Sequence, residues 1–115
     1  MTDSILNSIK KLLGLTAEYD AFDTDLVLCI NTAISILTQL GVGPSNGFHI
    51  TGQNETWLDF LGSEDFRYNM IKSYVHLKTK LLWDTTSLNG PLISELNNEL
   101  REIEWRSTVI AKEVQ

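Results

Sequence analysis

Cysteine is all but missing from this chain: Cys29 is the only one in 115 residues, so no internal disulfide can form and a thiolate-rich zinc site is excluded. Its neighbours Leu26, Val27, Leu28 and Ile30 are apolar, which predicts a buried, unreactive thiol. Histidine is nearly as scarce. His49 and His76 lie far apart, with no carboxylate or cysteine at ligand spacing, so no metal site is expected. Long apolar runs are absent too, and nothing approaches the ~20 residues of a membrane span. Between Leu26 and Asn54 there is no Asp, Glu, Lys or Arg, but Asn31, Thr32, Ser35, Thr38 and Gln39 interrupt the first half. That stretch reads as a buried helix followed by a loop. Met1-Thr2-Asp3-Ser4 is polar and acidic, without the basic start of a secretory signal.

Positive charge is the other deficit. Nine Lys and Arg face fifteen Asp and Glu, giving a formal net charge of −6 and a pI of about 4.7. Such a chain gains nothing from counterion release on a phosphate backbone, which argues against dedicated nucleic-acid binding. Hydrophobic content of 43% and charged content of 21% are ordinary for a globular protein and argue against disorder. The length suits one domain, residues 1–115, with one core.

What the sequence has in abundance is helical periodicity. Ile5, Leu6, Ile9, Leu12 and Leu13 predict a first helix from Ser4 to Leu13, capped by Asp3 or Ser4 and ended by Gly14. A second, capped by Asp23 or Thr24 and running to Leu40, carries Leu26, Ile30, Ala33, Ile34, Ile36, Leu37 and Leu40 over about half its surface. Small uncharged residues fill its other side, so cover from more than one direction is expected. Asp20, Asp23 and Asp25 complement the helix dipole; they lack the spacing of a calcium loop. Residues 41–56, rich in Gly and Asn, form the one long loop, with Phe48–Thr51 as a short strand at most. A short turn from Trp57 to Leu61, capped by Thr56, plugs Trp57, Phe60 and Leu61 into the core.

The third long helix is expected from Ser63 to Trp83, with two stripes: Phe66, Met70, Tyr74, Leu77 and Leu81, and Ile71, Val75 and Leu82. Two stripes make it the central helix. After the polar turn Asp84–Gly90, Pro91 opens a last helix to Ala111, with Ile93, Leu96, Leu100, Ile103 and Ile110 on one side and Glu95, Glu99 and Glu102 on its flank. Trp105 lies off that stripe, awaiting either a neighbouring helix or another subunit, and Trp83 poses the same choice. The fold class is therefore all-α: a small helical bundle of about four main helices, with a long loop between the second and third.

No catalytic set assembles. Gly41-Val42-Gly43-Pro44 is followed by no Lys-Ser/Thr and is not a phosphate loop. Ser63 and Ser87 have no nearby histidine, and Glu102 and Glu104, two apart on a helix, do not face each other. His76 falls on a polar helix side, where solvation or a salt bridge is expected. The chain reads as no enzyme, with no cofactor.

Three segments in order carry a resemblance: Trp57-Leu58-Asp59-Phe60-Leu61-Gly62, then Ile71-Lys72-Ser73-Tyr74-Val75-His76-Leu77-Lys78-Thr79-Lys80-Leu81-Leu82-Trp83-Asp84, then Leu100-Arg101-Glu102-Ile103-Glu104-Trp105-Arg106. With the acidic N-terminal helix pair, their order resembles the head–tail connector family of tailed bacteriophages, the neck or adaptor proteins, from Thr2 to Arg106. In that family a Lys-x-Tyr-Val helix ends in an aromatic–Asp step that usually continues Pro-Pro. Here Trp83-Asp84 continues Thr85-Thr86, a departure at the turn.

The resemblance implies a structural virion protein at the head–tail interface, present in the host cytoplasm before assembly. It implies a homo-oligomeric ring beneath the portal protein, a dodecamer among the forms allowed, with a downstream neck or tail protein on the other side. DNA is then a passing occupant of the channel, for which an acidic wall is suited, and no membrane is involved. A closed ring needs heterologous contacts, and the basic Lys72, Lys78 and Lys80 and the acidic Glu95, Glu99 and Glu102 are candidate complementary faces. Trp105, the loop residues Phe48 and Ile50, and the segment after Arg106 complete the expected subunit or portal contacts. Two other readings compete: a small helical adaptor or regulator unrelated to virion assembly, and a nucleic-acid-binding domain using Arg67, Lys72, Lys78 and Lys80.

Overall fold

A computed structural model describes residues 4–63, 65–83 and 90–114, with side chains as far as Lys112. Five α-helices follow in order: α1 (Ile5–Leu12), α2 (Asp23–Gln39), α3 (Trp57–Leu61), α4 (Asn69–Trp83) and α5 (Gly90–Val114). A 3-10 turn, Phe66–Tyr68, precedes α4. Among the described residues there is no strand, only one isolated antiparallel bridge between Ser4 and Thr56. The fold is all-α, as the periodicity requires.

Helix α4 is the hub. It packs along α2 on one side and α5 on the other, with α1 against both α2 and α4. Its Ile71, Tyr74 and Val75 are fully buried beside Leu26, Ile30, Ile34 and Leu37 of α2 and Ile5, Leu6 and Ile9 of α1. Full burial of each such side chain stabilises by about 1.5–3 kcal/mol before entropy is set against it.

The start of α4 departs from expectation. Asp65 holds extended backbone, accepts from the Arg67 amide at 2.9 Å and grips the Arg67 guanidinium at 2.7 and 3.0 Å. That local clasp favours a 3-10 turn, so the α-helix begins at Asn69 and not Ser63. Phe66 thereby loses the phase of the predicted stripe and is 78% exposed. Leu82 keeps the phase of Ile71 and Val75 but lies in the last turn, where cover ends, and it too is exposed; Thr79 is buried instead.

Smaller corrections have similar causes. Ser4 caps α1, accepting from the Asn7 amide, but α1 buries Lys10 and leaves Leu12 exposed. The Lys10 ammonium, wholly enclosed, donates to Asp23 Oδ1 at 2.8 Å and to the Ala17 carbonyl at 3.0 Å. Asp23 is thus committed to Lys10, and Phe22 occupies the N-cap of α2 without a side-chain bond. Helix α5 runs beyond Ala111 to Val114. The predicted turn at 84–89 and the contribution of Glu64 lie outside the described residues.

The long loop is fastened to the helices. Asn31 of α2 closes a two-bond clamp on Ile50, donating to its carbonyl at 2.9 Å and accepting from its amide at 2.7 Å. Those bonds take the backbone groups a strand would need, so Phe48–Thr51 forms none. At the loop's end, the Ile5 amide donates to the Glu55 carbonyl and Trp57 Nε1 donates to Ser8 Oγ at 2.8 Å. Thr56 and Asp59 form a reciprocal capping box on α3. Gly43 is irreplaceable on two counts: its φ is +84°, and a Cβ there would stand 2.5 Å from the Phe60 ring.

Candidate interaction surface

Helix α5 is the least covered of the long helices. Leu100, Ser107 and Ala111 are its buried side chains among those described, all turned toward the rest of the chain. Ala111 sits over the corner at Gly41, where a Cβ would lie 3.7 Å from its own. Midway along, Tyr74 of α4 donates its hydroxyl to Glu104 Oε2 at 2.7 Å. Burial first, then that hydrogen bond and the carboxylate's charge, push the Tyr74 phenol well above its ordinary value. The Tyr74–Glu104 bond lies on the side of α5 that packs on the chain, as do buried Leu100, Ser107 and Ala111.

The outer face carries Glu95, Glu99, Arg101, Glu102, Trp105, Arg106, Val109 and Lys112, every one of them exposed. Trp105 is 68% exposed, so no described helix covers it. Arg106 pairs with Glu102 at 2.8 Å along the helix, an exposed pair of small worth. Between α4 and α5 runs a groove of about 540 Å³ walled by Met70, Ser73, Leu77, Glu99, Glu102 and Ile103. It shares Met70 and Arg106 with a second hollow of about 280 Å³, which reaches Arg67, Trp105, Val109 and Ile110.

The other sequence candidates fall in different places. Lys72 is half-buried, its ammonium 5.9 Å from the centre of the Trp57 ring, and so is engaged within its own chain. Lys78 and Lys80 are half-buried on α4. Among the described residues none of these lysines is ion-paired with Glu95, Glu99 or Glu102. Phe48 stacks on Phe60 with ring centres 5.2 Å apart. Ile50 is 1% exposed, a core residue and not a surface contact, because the Asn31 clamp draws it inward. Trp83 finds its neighbour within the chain, edge-on to Phe22 at 5.4 Å.

Met70 walls both hollows although the periodicity placed it in a core stripe, Val109 and Lys112 fall within the segment after Arg106 expected to make contacts, and Phe66 is exposed ahead of α4 in the wall of neither hollow. Val109 had a legible signal, four residues beyond Trp105 on the face opposite the stripe. Phe66 had none, since its exposure depends on the 3-10 turn.

Among the described residues no group of three or more His, Cys, Asp or Glu is placed to hold a metal ion. Cys29 is half-buried; burial and then Asp25 push its thiol above the ordinary range, away from reactivity. His76, expected to be solvated or in a salt bridge, is half-buried, and burial followed by Lys80 holds its pKa below the usual imidazole value. No described helix is long and apolar enough to cross a membrane.

A family model described as phage connector protein matches residues 5–114, the span of all five helices. No curated protein and no solved structure matches the chain.

Proposed function

The chain belongs to the phage connector protein family, and from that premise we propose that it is one subunit of a ring at the head–tail interface of a virion. The family is structural, so its work is done by surfaces that meet other phage head and tail proteins. One side of the ring docks on the portal, and the other receives the next neck or tail protein. The observation that supports this reading best is the outer face of α5, where an exposed tryptophan stands among residues of mixed charge.

A ring requires two different faces on each subunit. Glu95, Glu99 and Glu102 on α5 supply one; Lys78 and Lys80, on different flanks of α4 and unpaired with any described acid, supply basic groups for the other. Lys72 has a lesser part because it is held over Trp57. The acidic chain suits a channel wall past which DNA slides without adhering.

The test is the mass of the purified chain in light scattering, alone and with its cognate portal protein. A portal-bound ring is expected, and Lys78→Glu with Lys80→Glu weakens it. A chain that ignores its portal at every ratio tried overturns the reading in favour of an adaptor outside the virion. Removing residues 107–115 is a poor probe of the C-terminal contact, since Ser107 and Ala111 would leave the core with them. Lys112→Glu tests that contact without loss of packing.

A further inference from the structure

Residues 13–22 join α1 to α2 and are laid down as two turns: the Tyr19 amide donates to the Thr16 carbonyl and the Asp23 amide to the Asp20 carbonyl, both at 3.2 Å. The enclosed Lys10 ammonium fastens this connection through the Ala17 carbonyl and Asp23. Held in that way, it carries Tyr19 and Phe22 to the last residue of α4. The Tyr19 and Phe22 rings meet edge-on at 5.8 Å, and Phe22 meets Trp83 edge-on at 5.4 Å. An edge-on contact covers at most one ring face of a pair, and Tyr19 stays 47% exposed and Phe22 38%.

Around these rings the charge is acidic and unspent. Glu18 and Asp20 flank Tyr19 in the chain, and Asp25 stands one helical turn beyond Phe22. All three are exposed, and among the described residues none of their carboxylates makes an ion pair or a hydrogen bond. Bases are fewer there: Lys10 is committed to Asp23, Lys11 is exposed at the end of α1, and Lys80 is half-buried one turn before Trp83.

We infer that this aromatic cluster with its unpaired acids is the seat for the portal protein, which docks there through a segment carrying arginine or lysine beside an apolar side chain. The inference rests on the ring reading above and names the residues of its portal contact. A cation over an aromatic face is attracted by the ring's quadrupole, and a carboxylate beside the ring pairs with the same cation. An acidic segment would meet like charge, and so would DNA. A second copy of this chain, itself at a net charge of −6, is disfavoured at the same place. The cluster lies where α2 begins and α4 ends, at an end of the bundle, whereas contacts between ring neighbours fall on the flanks of α4 and α5.

Titration of the full chain into its cognate portal protein, at low and at high salt, tests it. Tyr19→Ala with Phe22→Ala is expected to raise the dissociation constant at least about 30-fold at either salt, the effect of losing an interface hot spot. Glu18→Lys with Asp20→Lys should raise it at least about 10-fold at low salt, and the difference should narrow at high salt. Glu18 and Asp20 are exposed and lie outside the helices, so this second variant leaves the core alone, and circular dichroism should report an intact fold. A wild type that binds its portal while both variants bind it equally well overturns the inference and leaves the ring reading standing. A wild type that ignores its portal overturns both. Variants that keep the portal and lose the downstream neck or tail protein overturn the assignment of this seat to the portal.

Discussion

Helices α2 and α5 treat charge and burial in opposite ways. From Leu26 to its end α2 has no Asp, Glu, Lys or Arg, and it encloses Leu26, Ile30, Ala33, Ile34 and Leu37 completely. Even its polar Asn31 is turned to the chain's own use, clamping the loop at Ile50. Helix α5 is longer, 25 residues against 17, yet it buries fewer side chains and carries charge along its whole outer face. The small uncharged side of α2, expected to be covered, is open to solvent instead: Leu28, Thr32, Ser35 and Gln39 are exposed. The charged side of α5 faces outward. Stability is concentrated around α2 and α4, and of the two helices it is α5 that offers charge along its length to partners.

Substitutions can break or sharpen that contrast. The largest effect is expected for Leu37→Ala, a loss of about 3–5 kcal/mol in chemical denaturation, since its enclosed site cannot easily collapse. Leu100→Ala should cost about 2–3 kcal/mol and, in hydrogen exchange, release α5 amides before those of α2. Equal protection of both helices in that variant would remove the contrast. Next comes Lys10→Ala at about 2–3 kcal/mol, because Asp23 and the Ala17 carbonyl lose their enclosed donor. Lys10→Met, which restores the stem's packing, should recover part of that loss. Asn31→Ala should cost about 2 kcal/mol and raise protease sensitivity near Ile50.

The smallest effect concerns acid. Hydrogen bonds from Arg67, side chain before backbone, hold the Asp65 carboxyl at about 2, down from 3.8. A depressed folded-state pKa adds stability above the unfolded value and loses it as pH falls through the folded one. The contribution of Asp65 should therefore fade between pH 3.8 and about 2. Asp65→Asn should lower neutral stability slightly and flatten acid unfolding over that window by the same small amount. At the alkaline end the sign reverses in direction of pH: the raised Tyr74 phenol supports the fold below 10 and withdraws that support as pH climbs beyond it. Tyr74→Phe should move alkaline unfolding upward.

The all-α fold was legible because apolar residues recur at helical spacing and Gly14 and Gly41 follow the first two helices. α3 was placed residue for residue, from Thr56 as cap to Leu61, because a capping box is a local signal. The start of α4 was not, since the Asp65–Arg67 clasp competes with helix over a few residues and periodicity averages across such a break. Lys10 escaped notice for another reason: nothing in a lysine's own neighbourhood says that an aspartate thirteen positions on will enclose it. Of the surface, Trp105 and the acids of α5 were visible as residues off the stripe. Met70 and the groove required α4 and α5 to be packed first. Ile50 was misplaced because an apolar residue in a glycine-rich loop reads the same whether it faces outward or is pulled in by a distant amide.

The three tryptophans stand at three depths: Trp57 is 5% exposed, Trp83 is half-covered against Phe22, and Trp105 is 68% exposed. The chain thus carries a graded set of intrinsic fluorophores, one in the core, one at the end of α4 and one on the outer face of α5. In Trp57→Phe, Trp83→Phe protein the remaining emission comes from Trp105 alone, long in wavelength and open to acrylamide quenching. Any partner that covers α5 would shift that emission to shorter wavelength and shield it, so assembly can be followed by eye of the spectrometer with no label attached.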